Sequence, residues 1–269
     1  MYLVNCLLAR HDVVGMAIES PRPALTAEEK LERRRRLFQK HGFIRTANKL
    51  IWNWFRSRYL AAAEAAVVRE AFFPNGGDIA YQRAVTTQIV ANINDAACME
   101  FIRRLSPDLL AVCGTTVIKP ELFALAPLGA VNIHTGITPE YRSADPIFWA
   151  LYSGEPEKVG VTIHFIDKGI DTGPILQQEH IPVYSTDSMA TIYVRCIRRG
   201  AELYLQTLSE VAAASARTIE RPGVTGKAFY SISLGIFQYL VFLRRFRRLK
   251  RALRRAEQRD GTAPAGNRP

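Results

Sequence analysis

The sequence has few cysteines, and their spacing pairs none of them. Cys6, Cys98, Cys113 and Cys196 are its four cysteines, and they form no CxxC pair. This excludes a zinc ribbon and a disulfide-framed secreted domain, and fits reduced thiols in a cytosolic protein. The five histidines lack HxxxH or finger spacing, so no metal is expected. No run of about 18 apolar residues is present, so no helix is expected to span a bilayer. The longest candidate, residues 228–243, is shorter and runs straight into arginines. The opening MYLVNCLLARHDVV lacks the basic start and small-residue cleavage site of a signal peptide. There is no internal repeat. These absences give a cytoplasmic expectation, with peripheral membrane attachment left open by the charge pattern below.

What is present is an ordinary globular composition, 48% hydrophobic and 23% charged over 269 residues, enough chain for a sizeable core. The net charge of +11 is uneven. Residues 28–60 hold ten Lys/Arg against three Glu, and residues 241–269 hold ten against two acids. The balances are +7 and +8; residues 1–27 cancel, so residues 61–240 carry −4. Two basic segments flanking a mildly acidic middle argue against one broad nucleic-acid face.

Along the chain, residues 11–20 read as a short strand and residues 25–66 as one or two helices. Thr26 with Glu29 three residues later forms a candidate capping box. Residues 86–93 read as a strand, and Asn94 or Asp95 caps a helix over 95–105. Apolar or β-branched runs at 109–113, 129–134, 160–167 and 175–183 read as strands. A helix over 186–214, capped by Thr186 or Asp187, follows. Residues 216–233 read as an irregular linker, 234–258 as a long basic amphipathic helix, and the Gly/Pro-rich tail from 260 as disordered. Alternating strands and helices predict an open, mostly parallel α/β sheet with ligands at the strand ends. The domain division is 1–214, with the helical insertion 25–66, and 215–269.

One constellation carries chemistry. Asn132 and His134 occupy positions i and i+2 of a strand, so they share a face, and Gly136 and Pro139 then turn the chain away. A second polar loop, DKGIDTGP (167–174), holds Asp171 between Gly169 and Gly173, where glycine lets backbone approach a ligand. In a parallel sheet both loops lie on one edge, so the three side chains converge. An amide donor for an oxyanion, an imidazole that titrates near neutrality and a carboxylate that charges it suit acyl transfer. No serine or cysteine stands as nucleophile, so direct transfer to an incoming amine is expected. His164, inside an apolar strand, reads as structural.

NIHTGITPEYR (132–142) followed by GVTIHFIDKGIDTGPIL (160–176) resembles the folate-dependent formyltransferase family, which includes methionyl-tRNA, glycinamide ribonucleotide and amino-sugar formyltransferases. The likeness covers roughly residues 95–200. It implies a Rossmann-like sheet, N10-formyltetrahydrofolate as formyl donor and a small-molecule amine as acceptor, with no metal. It also implies Asn132, His134 and Asp171 as catalytic residues, with protonated His134 and Asn132 stabilising the oxyanion. Gly114, Thr116, Val117, Ile118, Ile166, Asp167, Gly169 and Ile170 would hold the donor, and Tyr141 and Arg142 the acceptor.

The chain departs from the family at its start: Met1 already resembles the family's first helix, so the family's first strand is not expected in this sequence, whether through a mis-called start, a truncation or a real loss. Residues 28–60 are a longer insertion than in the purine enzyme. Residues 215–269 show no alternating strands of the kind that build the tRNA-directed branch's C-terminal barrel. By elimination, a nucleotide-linked amino sugar leads as acceptor, which makes polysaccharide biosynthesis the expected setting. Methionyl-tRNA-type activity, formyltetrahydrofolate hydrolysis and a decayed membrane- or RNA-associated binding protein are the alternatives. The basic C-terminal helix, with Phe237, Leu240, Leu243, Phe246, Leu249 and Leu253 as an apolar stripe, points to an anionic membrane surface as a further partner. Nucleic acid is not expected, and the oligomeric state is open.

Overall fold

The structure, a computed structural model, describes residues 1–20, 26–76, 81, 84–221, 223 and 225–259. The tail from 260 and part of the RPGVTGK stretch lie outside the described residues. The chain opens with helix α1 (Tyr2–Arg10) and strand β1 (Met16–Glu19). Three helices follow in the insertion: α2 (Ala27–His41), α3 (Phe43–Phe55) and α4 (Ala61–Phe72), the last two joined through a π-helical stretch at Arg56–Leu60. The Thr26/Glu29 capping box forms, with Thr26 N–H donating to Glu29 at 2.7 Å. Gly42 breaks α2 from α3 in a left-handed conformation (φ +77°) that suits glycine.

Strand β2 (Thr87–Val90), helix α5 (Ala96–Leu105), strand β3 (Leu110–Val112), helix α6 (Pro120–Phe123) and strand β4 (Ala130–His134) come next. Then follow β5 (Tyr141–Ser143), α7 (Pro146–Ser153), β6 (Gly160–Phe165), β7 (Ile175–His180), α8 (Met189–Ala212), β8 (Lys227–Phe229) and α9 (Ile236–Arg259). The fold is α/β with parallel pairing in three of its five ladders: β1–β2, β3–β4 and β5–β8.

Three expectations change. Ser188, not Thr186 or Asp187, caps α8, because its hydroxyl reaches the Thr191 N–H at 3.2 Å while Asp187 is held by Arg195 at 2.7 Å. The stretch 216–233 is not all irregular: β8 pairs in parallel with β5 and closes over the loop after β4. The strand pairing β4–β6 is antiparallel, as is β6–β7, so the loop after β6 starts at the opposite end of the sheet from His134.

The central sheet has the order β3-β4-β6-β7. Helix α8 lies across it through buried Ile192, Cys196, Ala201, Tyr204 and Leu208. Gly200 permits this close approach, since a Cβ there would sit 2.9 Å from the Ile133 side chain. Tyr204 is fully buried and its hydroxyl lies 2.8 Å from the Val131 carbonyl and 3.1 Å from the Val112 carbonyl, bridging β4 and β3. Tyr204→Phe leaves both carbonyls without this donor, so the urea midpoint should fall by the equivalent of about 1–2 kcal/mol.

Among the described residues no ladder joins β1–β2 to β3, so no strand stands between them. A shared core that includes Val90, Phe101, Val112 and Ile118 holds the two sheets together. Glu19 reinforces it by accepting from the N–H and hydroxyl of Thr116 at 2.9 and 3.0 Å.

Candidate active site

The site is built on the β4–β6 ladder. Asn132 is directly opposite His164, and His134 opposite Thr162. Opposed residues share a face, so two histidines and an amide meet on one side of the sheet. Thr162 is fully buried and donates to the Gly136 carbonyl at 2.6 Å, and Gln178 donates to the Thr138 carbonyl at 2.8 Å. These bonds fix the turn after His134. Gly136 is required there, since a Cβ would come within 2.8 Å of His134 Nε2 and of the Tyr141 carbonyl.

The loop after β6 reaches this face by folding back over the sheet. Asp167 accepts from the Gly169 N–H at 2.9 Å and from the Thr172 hydroxyl at 2.7 Å, which tightens the turn. A Cβ on Gly173 would land on the Phe165 carbonyl, so only glycine lets the chain turn so closely. Asp171 adopts a left-handed conformation (φ +49°), which aims its carboxylate back at Asn132 and His134.

There Asp171 Oδ2 accepts the Ser143 N–H at 2.8 Å and lies 3.6 Å from His134 Nδ1. Oδ1 lies 3.5 Å from both Asn132 Nδ2 and His164 Nε2. The chemistry of the neighbours sets the protons. His134 Nε2 is 3.0 Å from the Tyr141 carbonyl, which only accepts, so Nε2 carries a hydrogen. His164 Nδ1 is 2.7 Å from the Phe165 carbonyl and is likewise a donor. His164 Nε2 lies 3.2 Å from Asn132 Nδ2. Asn132 turns its amide nitrogen toward His164 and Asp171, and its longer bond, to Asp171, leaves one N–H easily redirected.

Burial pushes the Asp171 carboxyl up, but His164, His134 and the Ser143 N–H together outweigh it and hold the group below its ordinary value. His134 goes down: burial disfavours its charged form and prevails over the pull of Asp171 and the Tyr141 carbonyl. At neutral pH the site therefore presents a carboxylate and a neutral imidazole whose Nδ1 is free to accept a proton.

A cavity of about 580 Å³ opens onto these groups, a size suited to a small-molecule ligand. Asn132, His134, Asp171, His164 and Ser143 line one end. Gly114, Thr116, Val117, Ile118, Ile166, Asp167, Gly169 and Ile170, the residues assigned to the donor from sequence, all line it as well. Apolar Val117, Ile118, Ile166 and Ile170 beside exposed backbone suit a flat heterocyclic ring with polar edges, which is what a pterin presents. Cys113 and Ser143 also line the cavity. Among the described residues, neither side chain makes a hydrogen bond to His134 or Asp171.

Two residues assigned to the acceptor sit elsewhere. Tyr141 is buried, stacks on Phe229 and bonds Glu155 through its hydroxyl, which burial and that carboxylate push up to about 12. It serves the site through its carbonyl. Arg142 is half-buried, its Nε has no partner, and it does not line the cavity. His164, read as structural from its apolar strand, instead stands beside both Asn132 and Asp171. The signal available was its place opposite Asn132, visible only once β4 and β6 are paired antiparallel.

Among the described residues no cluster of His, Cys, Asp or Glu could hold a metal ion. The α/β sheet thus gathers an amide, an imidazole and a carboxylate at one cavity, groups whose chemistry suits acyl transfer. Residues 76–208, just under half of the chain, match the family described as formyl transferase. The chain is 32% identical over 158 residues to a methionyl-tRNA formyltransferase of Chlorobium chlorochromatii, covering 59% of this chain and 48% of that protein. It is 39% identical over 129 residues to a methionyl-tRNA formyltransferase of Methylacidiphilum infernorum, covering 48% of this chain and 40% of that protein. The chain thus spans under half the length of these relatives. A sugar N-formyltransferase structure from a Shewanella species aligns over 86% of this chain and 87% of its own, at 16% identity and a TM-score of 0.50, a likeness of fold.

Proposed function

We propose that the chain transfers a formyl group from N10-formyltetrahydrofolate to a primary amine, and that the amine belongs to a nucleotide-linked amino sugar. One observation carries the reaction: Asn132 and His134 from strand β4 and Asp171 from the loop after β6 meet at one end of a cavity whose other walls suit a pterin. The bound donor supplies a formyl carbon open to attack.

The chain's residues do the rest. An amine must arrive unprotonated or lose a proton to the site, and Asp171 with neutral His134 can take it. Once charged, His134 has a partner for each N–H, the Tyr141 carbonyl for Nε2 and Asp171 for Nδ1. That charged form differs from the resting neutral state, so His134 starts as an acceptor of the amine proton and would return it to the donor's N10 as the bond between that nitrogen and the formyl carbon breaks. The redirected Asn132 N–H stabilises the negative charge that develops on the formyl oxygen.

For the acceptor, the sugar N-formyltransferase whose fold aligns over 86% of this chain supports a sugar amine. A second reading, formylation of methionyl-tRNA, is favoured by the relatives at 32–39% identity.

Both readings are tested by supplying purified protein with N10-formyltetrahydrofolate and either nucleotide-linked amino sugars or charged initiator tRNA. Tetrahydrofolate release should require the sugar amine. Release with tRNA alone reverses the acceptor assignment, and formate release without any amine makes the protein a hydrolase.

A further inference from the structure

The insertion helix α3 shows solvent an apolar face. Phe43, Ile44 and Trp54 are 73%, 75% and 60% exposed, and Ile51 is exposed beside them. At about 100° per residue these four fall within roughly 100° of one another around the helix axis. The opposite face is the one that packs, through buried Thr46, Asn48 and Trp52.

Helix α9 lies against α3 and extends the patch. Asn48 accepts the Phe237 N–H at 2.9 Å and donates to Gln238 at 2.9 Å. Ile44 and Ile51 stand four residues before and three after Asn48, so they flank that junction. Phe237, at 58%, and its neighbours Leu240 and Val241 are exposed there.

The apolar stripe read from the sequence of α9 divides in the structure. Phe246 is buried, and Leu243, Leu249 and Leu253 pack against the core. Phe242 joins them, 4.8 Å from Phe148 between ring centres. The outward row instead runs Phe237, Val241, Arg244, Arg248, Arg251 and Arg255, at steps of 4, 3, 4, 3 and 4. One helix face is thus apolar at its start and cationic beyond, and all six residues are exposed.

We propose that this α3–α9 face docks on an anionic lipid bilayer. The apolar side chains enter the interface and the arginine row lies against the headgroup phosphates. Charge and polarity together select this partner. A bilayer surface takes up aromatic and aliphatic side chains and attracts basic ones beside them. RNA would satisfy the arginines but leave Ile44 and Ile51 uncovered. A second copy in two-fold pairing would set one arginine row against the other. Among the described residues no helix is long and apolar enough to cross a membrane, so the contact is with the surface. The docking does not depend on the reaction proposed above.

The test is co-sedimentation of the full chain with vesicles of phosphatidylcholine alone or with about three parts in ten phosphatidylserine. Binding should need the phosphatidylserine, be at least about tenfold weaker without it, and weaken as salt rises. Combined Phe43→Ser, Trp54→Ser and Phe237→Ser should weaken it about tenfold, as should Arg248→Glu with Arg251→Glu, with circular dichroism melts unchanged. No binding to either vesicle overturns the proposal. So does binding that both variants retain. A dimer in free solution that the serine variant dissolves overturns it too, and assigns the face to a second copy.

Discussion

Asp171→Asn should lower kcat by about 10³-fold or more while the chain still folds and still binds the folate donor. The backbone tolerates the change, since asparagine accepts the left-handed φ of +49° as readily as aspartate. The chemistry does not. The carboxylate uses Oδ2 for the Ser143 N–H and Oδ1 for the Asn132 amide. An amide has one acceptor and one donor, so one of those N–H groups would face another N–H. The charge that favours a proton on His134 also disappears.

The pH dependence follows with a definite sign. His134 titrates below its ordinary value of 6.5 because it is buried, and Asp171 pulls it upward. As proton acceptor, His134 works only when neutral. In the wild type kcat/KM should therefore rise with pH through a value below 6.5 and level off near neutrality. Without Asp171 the imidazolium loses its partner, so this rising limb should move to still lower pH as the plateau falls. A limb that moves upward, or activity that declines from pH 6 to 8 in the wild type, would show that His134 must start protonated.

Asn132→Ala should cost about 10²–10³ in kcat, about 2.7–4 kcal/mol in the barrier, with little change in donor affinity. Asn132 sits in the middle of the β4–β6 ladder, and removing a half-buried side chain there leaves the backbone pairing intact. What is lost is the N–H that can swing from Asp171 to a charged oxygen in the cavity. Steady-state kinetics with saturating amine separates this from weaker binding. A KM effect with unchanged kcat would remove Asn132 from the oxyanion role.

Much of this site could be read along the chain, because its members lie in two short segments with local signals. Asn132 and His134 share a face by strand period alone, and Asp171 is marked by its flanking glycines. The Thr26 cap and the boundaries of β4, β6 and α9 follow from the same local physics. The rest depended on pairings at long separation. Antiparallel packing of β6 on β4 turns the Asp171 loop back over the sheet rather than along its edge. The same pairing brings His164 into the site. Strand β8 forms because β5 offers it an edge, which three residues of a Gly/Pro-rich stretch do not announce. In α9 a helical pattern marks an apolar stripe, but only packing on α7 and the core decides which half of it turns inward.

The most direct measurement is a single-turnover reaction of the wild-type chain with bound N10-formyltetrahydrofolate and a nucleotide-linked amino sugar, run beside Asp171→Asn. Tetrahydrofolate and formylated sugar should appear together, only when the amine is present, and about 10³-fold more slowly in the variant. Equal rates in the two proteins, or formate released without any amine, would contradict transfer by the Asn132, His134 and Asp171 constellation.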